Sequence, residues 1–282
     1  MKSVFFTIVF VLGAYLGFAQ DAADLINKAN EALTAKEYAK AFELYDQAMK
    51  NLGDVQVDAA INFNIGFAAL QADKFEAALP YFDKAIAANA NVAKAYEYKG
   101  NAYVKLDKFA EAIDAYKKAV DAGAEDKGSL YYNGGIAAYK AQKFDQAVDL
   151  FGQAAAANYN ADNAYYYKAV SLKKLDKDDA YKQTLVEAAA KFPKEKKITS
   201  ALANVYVLEG NDLYKKGVSI INAANEKVKA GSLKTDDAAY TAEIEKSKVE
   251  FKAALEILQK AKALDATNAN AAKLIEACNS VL

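Results

Sequence analysis

Large and small apolar residues alternate at helical spacing in four stretches of the chain: YAKAFELYDQA from Tyr38, FEAALPYFDKA from Phe75, FAEAIDAYKKA from Phe109 and FDQAVDLFGQA from Phe144. In each, an aromatic opens the stretch, a small residue follows three positions later, a second aromatic four after that, and an alanine three beyond. Phe75, Ala78, Phe82 and Ala85 form one such set; Phe109, Ala112, Tyr116 and Ala119 form the next. Steps of three and four put all four side chains on one face of a helix, large against small, so that the face can interdigitate with a neighbour. The middle alanines, Ala41, Ala78, Ala112 and Ala147, recur at steps of 37, 34 and 35 residues. A period of about 34 is that of stacked helix pairs.

Upstream of each stretch lies a partner helix with its own signature, seen as AYEYKGNAYVK from Ala95 and LYYNGGIAAYK from Leu130. A glycine recurs in these helices at Gly66, Gly100 and Gly135. Glycine inside a helix costs about 1 kcal/mol relative to alanine, so its return at one place predicts a packing contact too tight for a side chain. Polar turns such as Ala72-Asp73-Lys74 and Leu106-Asp107-Lys108 join the two helices of a pair, and connections this short make antiparallel hairpins.

These residues resemble the tetratricopeptide repeat, whose pattern is a bulky residue, Leu-Gly and Tyr in the first helix, then Ala, Phe or Tyr, Ala and Pro across the second. The third copy holds Tyr96, Lys99-Gly100, Tyr103, Ala112, Tyr116 and Ala119 at those places. The fourth holds Tyr131, Gly134-Gly135, Ala138, Ala147, Phe151 and Ala154. A fifth follows with Tyr165, Ala169, Leu172, Leu185, Ala188 and Pro193, although Ala180 falls one residue early; the first, with Leu25, Ala29, Ala32, Ala41, Tyr45 and Ala48, is degenerate in its leading helix. The resemblance implies an all-α, right-handed superhelical solenoid of antiparallel helix pairs, with about five regular repeats over residues 22–195.

Beyond Lys196 the period falters. Residues 196–266 read as an enlarged hairpin or sixth repeat, with helical patterns from Ile198 to Val228 and from Ala238 to Leu264 around the turn KAGSLKTDD. Gly210 takes the first-helix glycine place in this reading, and Ala254, Leu258 and Ala261 take the second-helix places. Alternatively a turn at Gly210 separates Ile198–Leu208 from Leu213–Val228 as an ordinary pair. Residues 267–282 supply a closing helix with a polar face, as terminal repeats require.

At the other end, Met1-Lys2 precedes an apolar run from Val4 to Leu16, with small residues at Gly17 and Ala19. The run is shorter than the roughly 20 residues of a membrane span and reads as a secretory signal, cleaved after residue 19; an uncleaved anchor is the competing reading. No cysteine stands near the cleavage point to carry a lipid. The expected location is therefore periplasmic or secreted, without an integral membrane segment once the signal is removed. The lone cysteine, Cys278, permits no intramolecular disulfide and reads as a small buried residue or, alternatively, an intermolecular disulfide site.

Composition narrows the chemistry. The net charge is -1, with no His and no Trp, and no Arg stands anywhere in the chain. The charge balance leaves no basic stripe for nucleic acid. Without His there is no side chain poised for proton transfer near neutrality and no common metal ligand; without Arg there is no fork for phosphate or carboxylate. No catalytic residue, cofactor or metal is expected. An enzyme built on carboxylates and lysine is the remaining catalytic option.

In the family it resembles, the first helix of each pair lines a concave groove that takes a peptide or a partner helix. By that register the groove residues are Phe63, Phe67 and Leu70; Lys94, Asn101 and Val104; Tyr132, Ile136 and Tyr139; and Tyr166 and Val170. Some members hold a peptide's terminal carboxylate with a five-residue clamp. Asn30, Asn64 and Lys94 match it, while Ile26 and Tyr98 stand where basic residues belong. The implied function is a non-catalytic interaction scaffold for a protein or peptide, associated with envelope complexes. The alternative is a module for cell-wall glycan or another small ligand, suggested by the run Tyr165-Tyr166-Tyr167.

Overall fold

The computed structural model describes residues 18–52 and 57–282. The expected signal therefore lies outside the described residues as far as residue 17. The described residues are all-α. Four helix pairs come first: α1 (Phe18–Thr34) with α2 (Tyr38–Lys50), α3 (Ile61–Gln71) with α4 (Phe75–Ala87), α5 (Val92–Lys105) with α6 (Phe109–Asp121), and α7 (Lys127–Lys140) with α8 (Phe144–Ala156). A fifth pair is α9 (Ala161–Lys174) with α10 (Asp178–Lys191). Two long helices follow, α11 (Lys196–Lys229) and α12 (Ala238–Leu264), and α13 (Ala269–Asn279) closes the chain.

Each hairpin turn repeats one backbone device. Lys36, Asp73, Asp107, Gln142 and Asp176 all adopt left-handed φ values of 62, 57, 55, 58 and 55°. The next residue's N–H then reaches back five positions: Lys74 to the Ala69 carbonyl at 2.9 Å, Lys108 to Tyr103 at 2.8 Å, Lys143 to Ala138 at 2.9 Å. This bond ends the first helix, satisfies carbonyls that the helix would otherwise leave unpaired, and sends the chain back on itself. Asp, which tolerates the left-handed region better than most residues, fills three of the five places.

Within the pairs, the recurring glycines face aromatic rings rather than the backbone of another helix. A Cβ on Gly66 would lie 2.8 Å from the Phe82 ring, one on Gly100 2.6 Å from Tyr116, and one on Gly135 2.8 Å from Phe151. Every such pair is sixteen residues apart. Phe82 and Phe151 are fully buried and Tyr116 nearly so; the small residue lets a whole ring lie flat on the first helix. Ala29 and Tyr45, and Ala169 and Leu185, hold the same register, and all four are fully buried.

The described residues divide into two compact units, the first ending at Ala164 and the second spanning Tyr165–Leu282, so the boundary falls inside α9. The reason lies in the second unit: α10 packs against α11, and Lys182 joins Glu209 across them at 2.6 Å. The fifth pair thus shares its core with the long hairpin.

That hairpin extends the same contact. α11 runs unbroken through Gly210, so no turn separates two short helices there. A Cβ on Gly210 would lie 2.6 Å from Leu258, and one on Gly217 2.7 Å from Phe251. Gly210, Gly217 and the buried Ala224 are seven residues apart, as are Leu258 and Phe251, the spacing of a seam between two long helices. Gly231, at a φ of 72°, turns the chain after α11. Asn268 caps α13 by accepting from the Ala271 N–H at 3.0 Å, and the helix buries Cys278 against Ala261 and Leu258. Burial also pushes the Cys278 thiol up from its ordinary pKa, so the buried reading of this residue holds.

Gly100→Ala should destabilise the fold by about 1–3 kcal/mol, because the Tyr116 ring has nowhere to move. Gly152, inside α8 with nothing within 4 Å of its Cβ position, provides the opposite case: Gly152→Ala should stabilise by about 0.5–1 kcal/mol. Urea denaturation of the two variants, giving shifts of opposite sign, checks the assignment.

Candidate partner-binding face

In the first unit, the first helices of the second and third pairs present a cluster of rings. Tyr98 of α5 stacks on Phe63 of α3 with ring centroids 5.8 Å apart and planes at 27°, and lies 5.2 Å from Phe67. Phe82 supports it from beneath at 6.0 Å, and Tyr38 meets Phe67 edge-on at 5.9 Å. Phe63, Phe67 and Tyr98 are half-buried, so part of each ring remains open. The cluster forms because residues 63 and 67 stand one turn apart on α3 while Tyr98 projects between them from the next repeat.

Lys94 stands at the edge of this shelf. Its ammonium lies 5.8 Å from the Tyr98 ring centroid and bonds Glu97 at 2.8 Å. Partial burial pulls its pKa down, and the hydrogen bond and charge of Glu97 more than offset this, leaving it above the ordinary lysine value. Burial also raises the Tyr98 hydroxyl, so it is neutral at physiological pH. The arrangement offers aromatic surface flanked by one cation and one anion.

The other expected groove residues divide by burial. Leu70 is only 7% exposed, packed with Ala78 and Phe82, and is a core residue rather than a groove residue. Asn101 is engaged within its own pair, accepting from the Tyr116 hydroxyl at 2.8 Å. Val104 and Ile136 are half-buried. Tyr132 packs on Phe151 and Tyr159 at 5.7 and 5.9 Å, and Tyr139 on Phe144 at 5.6 Å.

Tyr166 and Val170 belong to the second unit. Tyr166 meets Tyr167 edge-on at 5.7 Å, while Tyr165 is turned away into the pair, where its hydroxyl donates to Glu187 at 2.5 Å and accepts from Lys191 at 2.5 Å. The three tyrosines therefore form no common platform. Val170 borders a shallow recess with Lys173 and Tyr181. Tyr181 stands where the other copies have their small residue, which explains why Ala180 falls one position early.

The carboxylate clamp is absent as a device. Ile26 is fully buried. Asn30 accepts from the Tyr45 hydroxyl at 2.5 Å, and Asn64, only 8% exposed, hydrogen-bonds the same hydroxyl. Both asparagines satisfy a buried phenol instead of a ligand. Among the described residues no group of three or more His, Cys, Asp or Glu comes together to hold a metal, and no helix is long and apolar enough to cross a membrane.

Tyr98 was missed by the sequence reading, which placed it only as a departure from the clamp. The signal that could have found it is its spacing of thirty-five from Phe63 and thirty-one from Phe67, which sets it opposite both in the adjacent repeat.

Residues 63–127 and 132–195 match the sequence profile of the Tetratricopeptide repeat family. The serine/threonine-protein phosphatase T of Trypanosoma brucei brucei (strain 927/4 GUTat10.1) is 30% identical over 102 residues, covering 36% of this chain and 21% of that protein. The chain thus matches about a fifth of that relative's length. Among solved structures, a tetratricopeptide repeat protein from Parabacteroides merdae ATCC 43184 aligns over 92% of this chain and 99% of its own, at 18% identity and a TM-score of 0.50. The MamA protein aligns over 63% and 94%, at 17% identity and a TM-score of 0.52. At these identities the likeness is one of fold, a solenoid of helix pairs.

The buried phenols predict a pH dependence. Burial holds the Tyr45 and Tyr116 hydroxyls well above their ordinary pKa; the Asn64 hydrogen bond opposes this at Tyr45, and the charge of Glu97 adds to it at Tyr116. Below about pH 10 both folded and unfolded chains keep these protons. Above it only the unfolded chain releases them, so stability falls as pH rises, by up to about 1.4 kcal/mol per pH unit for each tyrosine. Denaturation midpoints measured from pH 9 to 12 should fall more steeply for the natural chain than for Tyr45→Phe/Tyr116→Phe.

Proposed function

Because this chain belongs to the tetratricopeptide repeat family, whose fold serves protein–protein interaction, we propose that it is a non-catalytic scaffold whose first unit holds a peptide or partner helix against Phe63, Phe67 and Tyr98. The observation that carries this reading is the open ring cluster itself: three half-buried aromatic side chains from successive repeats, with Lys94 and Glu97 at their edge. Aromatic residues already held by their neighbours lose little freedom on binding and dominate interface energies. Lys94 and Glu97 then set orientation, accepting a partner's opposite charges at the rim, where electrostatics governs encounter more than affinity.

Val104, Ile136, Tyr132 and Tyr139 extend the apolar surface within the first unit. Tyr166 and Val170 offer a separate contact in the second. Export through the apolar run from Val4 to Leu16 places the scaffold in the periplasm, where it joins envelope complexes. The composition supports a non-catalytic reading: without His or Arg the chain lacks the side chains best suited to proton transfer near neutrality and to clamping phosphate or carboxylate.

Crosslinking tests the face. A photoreactive residue at Glu97, introduced in intact cells, should give one discrete adduct. Phe67→Ala/Tyr98→Ala should lower its yield or affinity about 30-fold, the loss expected from a central pair of aromatic anchors costing about 2 kcal/mol. Helicity by circular dichroism should stay unchanged. An adduct that persists at full yield in that variant would sink this face. The location is read by mass spectrometry of the chain from intact cells, which should begin at Gln20.

A further inference from the structure

Away from the ring cluster, two recesses in the first unit repeat one another. The first, about 400 Å³, lies where α5 meets α6 and is lined by Tyr96, Tyr103, Lys99, Glu111, Asp114 and Lys118. The second, about 220 Å³, lies where α6, α7 and α8 meet and is lined by Tyr131, Lys117, Gln146, Asp149, Leu150 and Gln153. Tyr96 and Tyr131, Glu111 and Gln146, Asp114 and Asp149, and Lys118 and Gln153 are each thirty-five residues apart. One design therefore occurs twice, one repeat apart: a half-buried tyrosine as floor, a carboxylate on the wall, and a hydrogen-bond donor beside it.

The chemistry of the walls selects the ligand class. In the first recess Lys118 pairs with Asp114 at 2.7 Å and Lys99 pairs with Asp83, so its positive charges are balanced. In the second, Gln153 donates to Asp149 at 2.9 Å, and Lys117 lines the recess together with Asp149 and Asp121. Neither recess has the excess of cations that a phosphate or nucleic acid requires. Each offers a phenol ring for an apolar face, and carboxylate, amide and amine groups that both donate and accept hydrogen bonds. A pyranose presents that combination, with C–H groups on its face and hydroxyls around its edge. Lys118 lies 6.0 Å from the Tyr96 ring centroid, but its ion pair is solvent-exposed and so contributes little to hold it there.

The fifth pair shows the same position closed. Tyr165, thirty-four residues beyond Tyr131, is only 8% exposed, and Glu187 and Lys191 bind its hydroxyl. The floor tyrosine is buried where Glu187, thirty-four residues beyond Gln153, is its hydrogen-bond partner, and it stays half-buried at Tyr96 and Tyr131.

We propose that the two recesses floored by Tyr96 and Tyr131 each bind a sugar ring of one neutral oligosaccharide. Isothermal titration of the full chain with chitotetraose and with cellotetraose tests this. One of them should bind at millimolar concentration or below, and more tightly than its own disaccharide by about tenfold, because a ligand spanning both recesses gains from the second as an intramolecular contact. Tyr96→Ala/Tyr131→Ala should abolish the heat, and Tyr96→Phe/Tyr131→Phe should retain it, since the ring and not the hydroxyl makes the stacking contact. Asp114→Ala/Asp149→Ala, altering exposed side chains only, should weaken binding without touching the fold. Phe67→Ala/Tyr98→Ala should leave binding intact. Absence of heat with both tetrasaccharides would overturn the proposal, as would binding that survives loss of both tyrosine rings or both aspartates, or that requires Phe67 and Tyr98.

Discussion

A large side chain laid on a small residue sixteen positions earlier is the contact on which each regular helix pair depends, and in the second, third and fourth pairs it is an aromatic ring on glycine. Helices pack at a distance set by the side chains between them. A first helix with a side chain at Gly66, Gly100 or Gly135 would hold off the ring of Phe82, Tyr116 or Phe151. With glycine there, the ring fills the gap without a void, and the pair closes to a fixed separation. The cost of glycine inside a helix is offset by the burial of a whole aromatic side chain, worth roughly 1.5–3 kcal/mol. The long hairpin sets a bulky side chain on a glycine twice in succession, Leu258 on Gly210 and Phe251 on Gly217, which is why it can lengthen without losing its alignment.

Once the separation is set, polar groups can be matched across it. The Tyr116 hydroxyl reaches Asn101, Tyr45 reaches Asn30, and Tyr240 reaches Asn225, each pair fifteen residues apart. Each phenol body packs between helices while its hydroxyl finds a side-chain acceptor, so burial leaves no polar atom stranded. Asparagines that would suit a ligand carboxylate on chemistry alone are thereby committed to the fold. The surfaces left for partners are those that the neighbouring helices cover only in part. Tyr98 stands opposite two phenylalanines from the preceding repeat, and Tyr96 and Tyr131 floor recesses whose counterpart at Tyr165 is closed.

Much of the architecture was legible because it depends on local spacing. The alternation of aromatic and small residues set the helix faces, and the polar triplets at Asp73 and Asp107 marked the turns. The site was less legible. Leu70 and Phe67 lie three apart on α3, and both read as groove residues, yet Leu70 is enclosed by Phe82 and Ala78 while Phe67 stays half-open against Tyr98. Helical register says which residues share a face; it does not say how far the neighbouring helix covers that face.

By itself the sequence determined an all-α chain of antiparallel pairs, the places of its turns and the chemistry it lacks, because these follow from residue type and from spacings of three, four and about thirty-four positions. Only the tertiary structure decided what the glycines admit, that Asn30 and Asn64 serve Tyr45, and that Tyr98 completes the ring cluster. Those outcomes depend on which side chain of one helix meets which of another, a distance of a few ångströms between residues fifteen to thirty-five positions apart. Periodicity along one helix does not contain that distance.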